Sequence, residues 1–462
     1  MKLSAVANVL RAKLLGPDCE FRNVSTDSRH LQSGELFVAL RGENFDGHAF
    51  VANAVASGAC GVVVDQPVEL LAVPQLVVAD TTKALGQIGH LNRSRFQGTV
   101  VALTGSSGKT SVKNMLLNIC SQLEDALATE GNFNNHIGVP LTLMRLKEQR
   151  FAIIEAGTSG IGEIEYLTDL IEPDIALVNN IMAAHIEGFG SVDAIANEKS
   201  AIYGSVRTKI GILNLDDKFH SLFEARLQGK RLIGFSASET TDVSAVVQAD
   251  KYDCLVTAEK PTLEPSGCYS FTLNIAGSRR RVLLGVPGRH NLSNAVAAAA
   301  AAAAMEIPID NVVVGLQAYR GTPGRMQIVE SIRCRQLVND SYNANPGSMC
   351  AAIDYLAEFE RSVLVMGDMG ELGDEDIHHH EAVGRYAKSK KIQALYATGI
   401  LSQHAVKAFG VSGLWFETKA DLVKHLNEQD LEKSVVLVKG SRYTKMEDVV
   451  CQLQNNNEVA KC

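Results

Sequence analysis

The stretch Thr99-Val-Val-Ala-Leu-Thr-Gly-Ser-Ser-Gly-Lys-Thr-Ser-Val-Lys113 constrains this chain more than any other. Val100 to Leu103 is a short apolar run of β type. Thr104-Gly105-Ser106-Ser107-Gly108 breaks it in a glycine-containing turn, and a helical pattern runs from Lys109 through Met115 and Leu117. Strand, tight loop and helix in that order form a phosphate cradle. Backbone N–H groups of the loop and of the helix N-terminus converge on one place, and the helix dipole adds partial positive charge there. Lys109 adds a full charge, and the Thr110 hydroxyl is a donor suited to Mg²⁺. The strict P-loop pattern needs glycine six residues before the lysine, and that position is Leu103; the motif is the shorter T-G-x-x-G-K-T. A plain Gly/Ser turn would not require Lys-Thr directly after Gly at a helix start.

At 462 residues the chain is too long for one core and is expected to divide into several domains. Residues 1–96 form a small α/β unit, with strands at Leu36–Leu40 and Gly61–Val64 and a turn at Asp46–Phe50 entering a helix through Val55. Residues 97–318 form the P-loop unit. Its apolar runs at Val100–Leu103, Phe151–Ile154, Ile175–Val178 and Ile210–Leu213 have helical segments between the first of them, which predicts a mostly parallel sheet. Short alternating runs from about 240 to 285 predict antiparallel strands appended to it. The alanine run Ala297–Ala304 reads as a buried, closely packed helix, too short to span a membrane. Residues 319–462, whose elements follow Arg320-Gly-Thr-Pro-Gly324 at the start of the unit, alternate strand runs and helices in a Rossmann-like, doubly wound pattern that lacks G-x-G-x-x-G.

A net charge of −8 argues against non-specific binding to nucleic acid or an anionic membrane. The nine cysteines are odd in number and form no C-x-x-C pair, which points to a reducing cytosol rather than a zinc site or a disulfide scaffold. Met1–Leu10 faintly resembles a signal peptide, but Asn8 interrupts it and Arg11 and Lys13 follow, so an amphipathic first helix is expected.

Ligands of parallel sheets bind beyond the carboxyl ends of the strands. That rule selects Glu155 and Asn179-Asn180 in the second unit, and Asp340, Gly367-Asp368 and Lys439-Gly440-Ser441 in the third. Thr110 and Glu155 suit the loop-hydroxyl and strand-end-carboxylate positions of a Mg²⁺-nucleotide site; a glutamate exposed at a sheet edge is the alternative. Gly131-Asn-Phe-Asn-Asn-His-Ile-Gly138 is a polar loop suited to sugar or pyrophosphate, although asparagine also favours turns. By residue type alone, His185 is an ordinary loop histidine and Lys199 a solvated helix lysine. Ser25-Thr-Asp-Ser-Arg29 is a capped turn, and His378-His-His380 is solvated helix surface.

Taken together, the motifs closely resemble the Mur ligases, ATP-dependent amide-forming ligases of bacterial cell-wall synthesis. The carrying residues are Thr104–Thr110, Thr129–Pro140, Leu177–Asn180 with Ala184–Gly190, Asn339–Pro346, Met366–Gly373 and Val438–Arg442. The match is nearest to the members that add D-alanyl-D-alanine to a UDP-N-acetylmuramoyl-tripeptide. The resemblance implies ATP held by Gly105, Ser106, Ser107, Gly108, Lys109 and Thr110, with Asn291 and Asn294 on the adenine side. It implies that Arg325 and Asp340 approach the nucleotide from the third domain. It implies two Mg²⁺ held by Thr110, Glu155, His185 and Lys199, the last as a carbamate, with Lys109, Glu155, His185 and Lys199 catalytic. Ser28, Arg29 and Asn135 would meet the UDP-muramoyl substrate, which reverses the plain-turn reading of 25–29. Many members of this subgroup carry Asn-His shortly after the glycine that follows the metal glutamate. Here Gly157 is followed by Thr158-Ser-Gly-Ile161, so contacts around Glu155 are expected to differ.

The expected partners are small molecules, handled by a monomer in a bacterial cytoplasm, with no nucleic acid and no membrane. Two alternatives stand beside this reading. One is a sister ligase that adds a single amino acid to a UDP-muramoyl precursor or glutamate to a folate; the 131–138 loop and the 339–346 motif argue against it. The other is a non-catalytic nucleotide switch built on the same P-loop.

Overall fold

The computed structural model describes residues 1–42, 45–182, 186–238 and 251–454. Three main sheets follow one another along the chain. The first has five strands in the order Lys13–Leu15, Gln75–Val77, Gly61–Val64, Leu36–Val38, Val24–Ser25, all parallel except the first pair. The strand Val24–Ser25 takes in the first residue of the polar cluster Ser25–Arg29 read as a turn, and the turn begins after it.

The second sheet has nine strands, in the order Ser278–Pro287, Cys268–Ile275, Cys254–Leu263, Arg231–Ser236, Ile210–Asn214, Ile175–Val178, Thr99–Thr104, Phe151–Glu155, Ala126–Ala128. The seven from Cys254–Leu263 to Ala126–Ala128 are parallel, and Cys268–Ile275 and Ser278–Pro287 add to Cys254–Leu263 as antiparallel hairpin partners. The appended hairpins are therefore as expected, and residues 239–250 of that stretch lie outside the described residues. Strands covered on both faces carry continuous apolar runs, and alternate residues divide between two cores. Val101 and Leu103 pack with Val112, Met115 and the alanine helix on one face, while Val100 and Ala102 pack with Ile164 and Leu167 on the other. The helix Arg289–Ala304 is buried along Ala295–Ala302, where methyl side chains allow close approach to the sheet and to the helix Lys109–Cys120.

From Thr99–Thr104 the chain crosses to one side to form Ala126–Ala128 and Phe151–Glu155, then returns to lay Ile175–Val178 on the other side. The strand before the phosphate loop thus lies at the topological switch point, where a crevice opens beyond the strand ends.

The third sheet runs Gln327–Val329, Gln336–Asp340, Val435–Lys439, Ser362–Met366, Ala394–Thr398, Gly413–Phe416, with only the first strand antiparallel. The three histidines read as solvated surface divide. On the helix Asp376–Ser389, His378 is exposed but His380 is buried. His380 Nε2 accepts the Met369 N–H at 3.0 Å and Nδ1 faces the Asp376 carbonyl at 2.7 Å. A helix turns about 100° per residue, so the third of three neighbours can face the core while the first faces water.

Candidate active site

The helix Lys109–Cys120 starts at Gly108, in the left-handed region at φ 76°, with no side chain capping it. Its first-turn N–H groups have no acceptor within the helix, so they are available to an anion. A Cβ at Gly108 would stand 2.3 Å from Asn294 Oδ1 and 2.6 Å from Asn179 Nδ2, so glycine is demanded by conformation and by space. An asparagine network holds the loop. Asn180 accepts the Ser106 N–H on its carbonyl and the Ser107 N–H on Oδ1, both at 2.9 Å. Asn179 Nδ2 donates to Ser107 O and to Asn294 Oδ1, and Asn294 Nδ2 donates to Asn291 Oδ1. Asn294, held by Asn291, thus braces the phosphate loop, both residues having been expected on the adenine side, while Ser106 and Ser107 commit their N–H groups to Asn180.

Lys109 Nζ donates to Gly105 O at 2.7 Å. Burial pushes its pKa down, Glu155 pulls it back up and Arg325 lowers it again. Glu155 is 2 % exposed at the end of Phe151–Glu155. Its Oε2 accepts the Thr110 hydroxyl at 2.9 Å, its Oε1 accepts Asn134 Nδ2 at 2.9 Å, and Lys113 Nζ lies 3.8 Å from Oε2. The motif after Glu155 builds its own support: Gly157 donates to Asn134 O, and a Cβ at Gly157 would meet the Asn134 amide at 2.9 Å. Thr110 and Glu155 together present hard oxygen donors beside a lysine, a set that fits Mg²⁺ completed by phosphate and water oxygens. Among the described residues no group of three or more His, Cys, Asp or Glu stands together as a metal cluster.

A cavity of about 840 Å³ opens over this loop and is walled by two of the sheets' strand ends. Ser106 to Ser111, Glu155, Asn180, Asn291 and Asn294 line one side; Arg325, Asp340, Tyr342 and Lys439 line the other. The Arg325 guanidinium lies over the Tyr342 ring at 4.1 Å. Asp340 is buried, its Oδ2 receiving Lys439 Nζ at 2.6 Å and its Oδ1 the Met326 N–H at 3.0 Å. Asp368, just past the end of Ser362–Met366, instead caps the helix Ser402–Phe409 through the Leu401 and Ser402 N–H groups.

Lys199 departs from the solvated-lysine reading. It is 2 % exposed on the helix Val192–Ser200 and stands outside the cavity lining. Burial, reinforced by the charge of Lys109, holds its pKa down to about 7. Its neighbour Glu198 accepts the Gly162 and Ile164 N–H groups at 2.7 Å each, tying this helix to the start of the helix Glu163–Ile171.

Other sequence candidates lie elsewhere. Asn135 Oδ1 accepts the Ile137 and Gly138 N–H groups, and Asn135 borders a separate cavity of about 310 Å³ with Gly157, Glu163 and Tyr166. Ser28 and Arg29 form a turn in the first unit, where Arg29 is exposed and paired with Asp27 at 2.7 Å. His185 lies outside the described residues. Sequence reasoning missed Asn134 and Lys113. Asn134 carries no signal that separates it from Asn132 and Asn135, whereas Lys113 stands four residues after Lys109, one helical turn along the same face.

Family models match three consecutive parts of the chain: the Mur ligase family catalytic domain over 20–93, the Mur ligase middle domain over 103–302 and the Mur ligase glutamate ligase domain over 324–442. The UDP-N-acetylmuramoyl-tripeptide–D-alanyl-D-alanine ligase of Escherichia coli is 40 % identical over 459 residues, covering 98 % of each chain. The ligase of the same name from Haemophilus influenzae is 38 % identical, covering 98 % of this chain and 99 % of its own. A crystal structure of MurF from Acinetobacter baumannii superposes with a TM-score of 0.89 at 34 % identity, covering 98 % of both chains.

Proposed function

Since the chain belongs to the Mur ligase family, we propose that it joins D-alanyl-D-alanine to a UDP-N-acetylmuramoyl-tripeptide at the expense of ATP. The terminal carboxylate of the tripeptide takes the γ-phosphoryl group, giving an acyl phosphate and ADP. The amine of D-alanyl-D-alanine attacks the acyl carbon, a tetrahedral intermediate forms, and phosphate leaves. The observation that carries the reading is one cavity in which Lys109, the uncapped helix start and Glu155 on one side face Arg325 on the other.

Bringing a carboxylate to a γ-phosphate sets anion against anion. Lys109, Arg325 and the first-turn N–H groups offset that repulsion, and positioning supplies the rest. Asn179, Asn180 and Asn294 fix the loop so that its donors need not reorganise. Thr110, Glu155 and, by resemblance, His185 would hold Mg²⁺, which when bound supplies further positive charge at the phosphates. Arg325 and Asp340 reach the cavity from beyond Gly321-Thr-Pro-Gly324, so assembly of the site depends on how the last unit sits against the P-loop unit. Asp340 serves the site as part of a buried pair with Lys439, and Asn291 and Asn294 support the loop and the adenine side.

Lys199 has what carbamate formation demands: a buried amine that sheds its proton near neutral pH, since only the free base attacks CO₂. As a carbamate it would turn a cation into an anion beside Lys109. Ser28, Arg29 and Asn135 would meet the UDP-muramoyl substrate, with the reaction taking place in a bacterial cytoplasm.

The test is phosphate release with ATP, the tripeptide substrate and D-alanyl-D-alanine in all combinations. Release that needs both peptides supports the ligase; release with ATP alone favours a nucleotide switch. Lys109→Ala is expected to abolish product while leaving the circular-dichroism melt unchanged. Lys199→Ala is expected to be nearly inactive and partly rescued by a small carboxylic acid; full activity without rescue would show a lysine with no part in the chemistry.

A further inference from the structure

Lys113 is 2 % exposed; it borders a separate cavity of about 480 Å³ with Thr110 and Thr129 and does not line the 840 Å³ cavity. Its ammonium donates to Thr129 O at 2.6 Å and stands 3.8 Å from Glu155 Oε2. Thr129 closes the triangle by accepting the Glu155 N–H on Oγ1 at 3.0 Å. The hydrogen-bond partners of the Glu155 carboxylate are neutral, the Thr110 hydroxyl and the Asn134 amide, while Lys109 acts on it through its charge alone. A carboxylate buried among neutral donors alone is costly, and a nearby fixed cation offsets that cost. Lys113 supplies that cation from the side away from the cavity.

Any divalent cation that meets Glu155 and Thr110 feels this balance. With Glu155 balanced by Lys113, an entering divalent ion finds a local charge near zero plus the nearby charges of Lys109 and Arg325, and it is repelled rather than drawn in. Once the phosphates of a nucleotide are present, the local balance is negative and the same ion is attracted.

We propose that Lys113 is a positioning residue acting through Glu155: it holds the carboxylate in place in the empty enzyme and keeps divalent cation binding weak until nucleotide phosphates arrive. Metal and nucleotide then enter together, and the bare site does not fill with metal. This rests on the reading that Glu155 and Thr110 hold the divalent cation.

The experiment follows the free Mn²⁺ signal by electron paramagnetic resonance, using Mn²⁺ as the probe with the full chain, first without nucleotide. Lys113→Met is expected to bind Mn²⁺ at least tenfold more tightly than wild type. Lys113→Gln, which keeps a donor for Thr129 O without the charge, is expected to do the same, and Lys113→Arg is expected to match wild type. Unchanged or weaker nucleotide-free binding in a folded Lys113→Gln overturns the proposal, because a merely structural lysine would give that result. Glu155→Gln is measured with ADP present. If it binds Mn²⁺ as wild type does, the assignment of the metal to Glu155 is what fails; if it loses binding, the metal is at Glu155 and the Lys113 variants decide the role of the lysine.

Discussion

Replacing Lys199 by methionine tests the electrostatics of the central site through stability alone. The folded chain holds Lys199 near pKa 7 against an ordinary 10.5, chiefly because burial penalises the ammonium. That difference corresponds to about 5 kcal/mol. Proton counting gives the sign. Below pH 7 the lysine is charged in both states and the folded state bears the whole penalty. Between pH 7 and 10.5 the unfolded chain keeps a proton that the folded chain lacks, so stability rises with pH by up to about 1.4 kcal/mol per pH unit from this group. Above 10.5 both forms are neutral and the penalty is gone. Methionine fills a similar volume and never carries charge. The advantage of Lys199→Met over wild type should therefore be full below pH 7 and shrink by about 3 kcal/mol between pH 7 and pH 9.5. Urea unfolding followed by far-UV circular dichroism, in buffer purged of CO₂, measures it. A difference between the two proteins that stays constant from pH 7 to 9.5 would refute the reasoning, since a group without a shifted pKa contributes no slope. The proposed carbamate on Lys199 predicts that bicarbonate at pH 8 stabilises wild type and leaves Lys199→Met unchanged.

Gly108→Ala should weaken ADP binding by tenfold or more and lower the melting temperature: the left-handed φ costs about 1–2 kcal/mol, and the clash with Asn294 and Asn179 adds about 1–3 kcal/mol. Calorimetric titration with ADP checks the first effect, and a thermal melt the second. Lys439→Met leaves Asp340 buried without its cation and should destabilise by about 3–5 kcal/mol; Asp340→Asn added to it should recover part of that loss in urea unfolding. His380 has its pKa lowered mainly by burial, so the unfolded chain takes up a proton first as pH falls. Wild type should lose stability below about pH 6.5, and His380→Gln should flatten that limb in melts recorded from pH 7 to 5.

The covalent order of the chain settled more than its composition did. The P-loop was legible because strand, glycine turn and Lys-Thr are contiguous, and contiguous backbone makes most of the cradle. The parallel core was legible in apolar runs such as Phe151–Ile154, because strands covered on both faces need no alternation. The strand Arg231–Ser236 was not legible in the same way, though it is buried from Leu232 onward and extends the same sheet. Identification of the family rested on the ordered set of motifs rather than on any one of them.

Side-chain environment was decided only by the tertiary structure. Lys199 and His380 stand in polar helical sequence, and the sequence offers no sign that packing will strip them of water. Asn134 faces Glu155, whereas Asn135 caps the turn at Ile137 and Gly138, and residue type does not separate them. Lys113 became a partner of Glu155 because Phe151–Glu155 pairs directly with Thr99–Thr104, bringing residues 42 positions apart to within 3.8 Å. Burial and charge pairing are properties of neighbours in space, whereas local sequence specifies the backbone that carries them. The chain by itself therefore determined the phosphate cradle and the layered sheets, and the fold decided which lysines and carboxylates would have to share a dry interior, where an unpaired charge is costly.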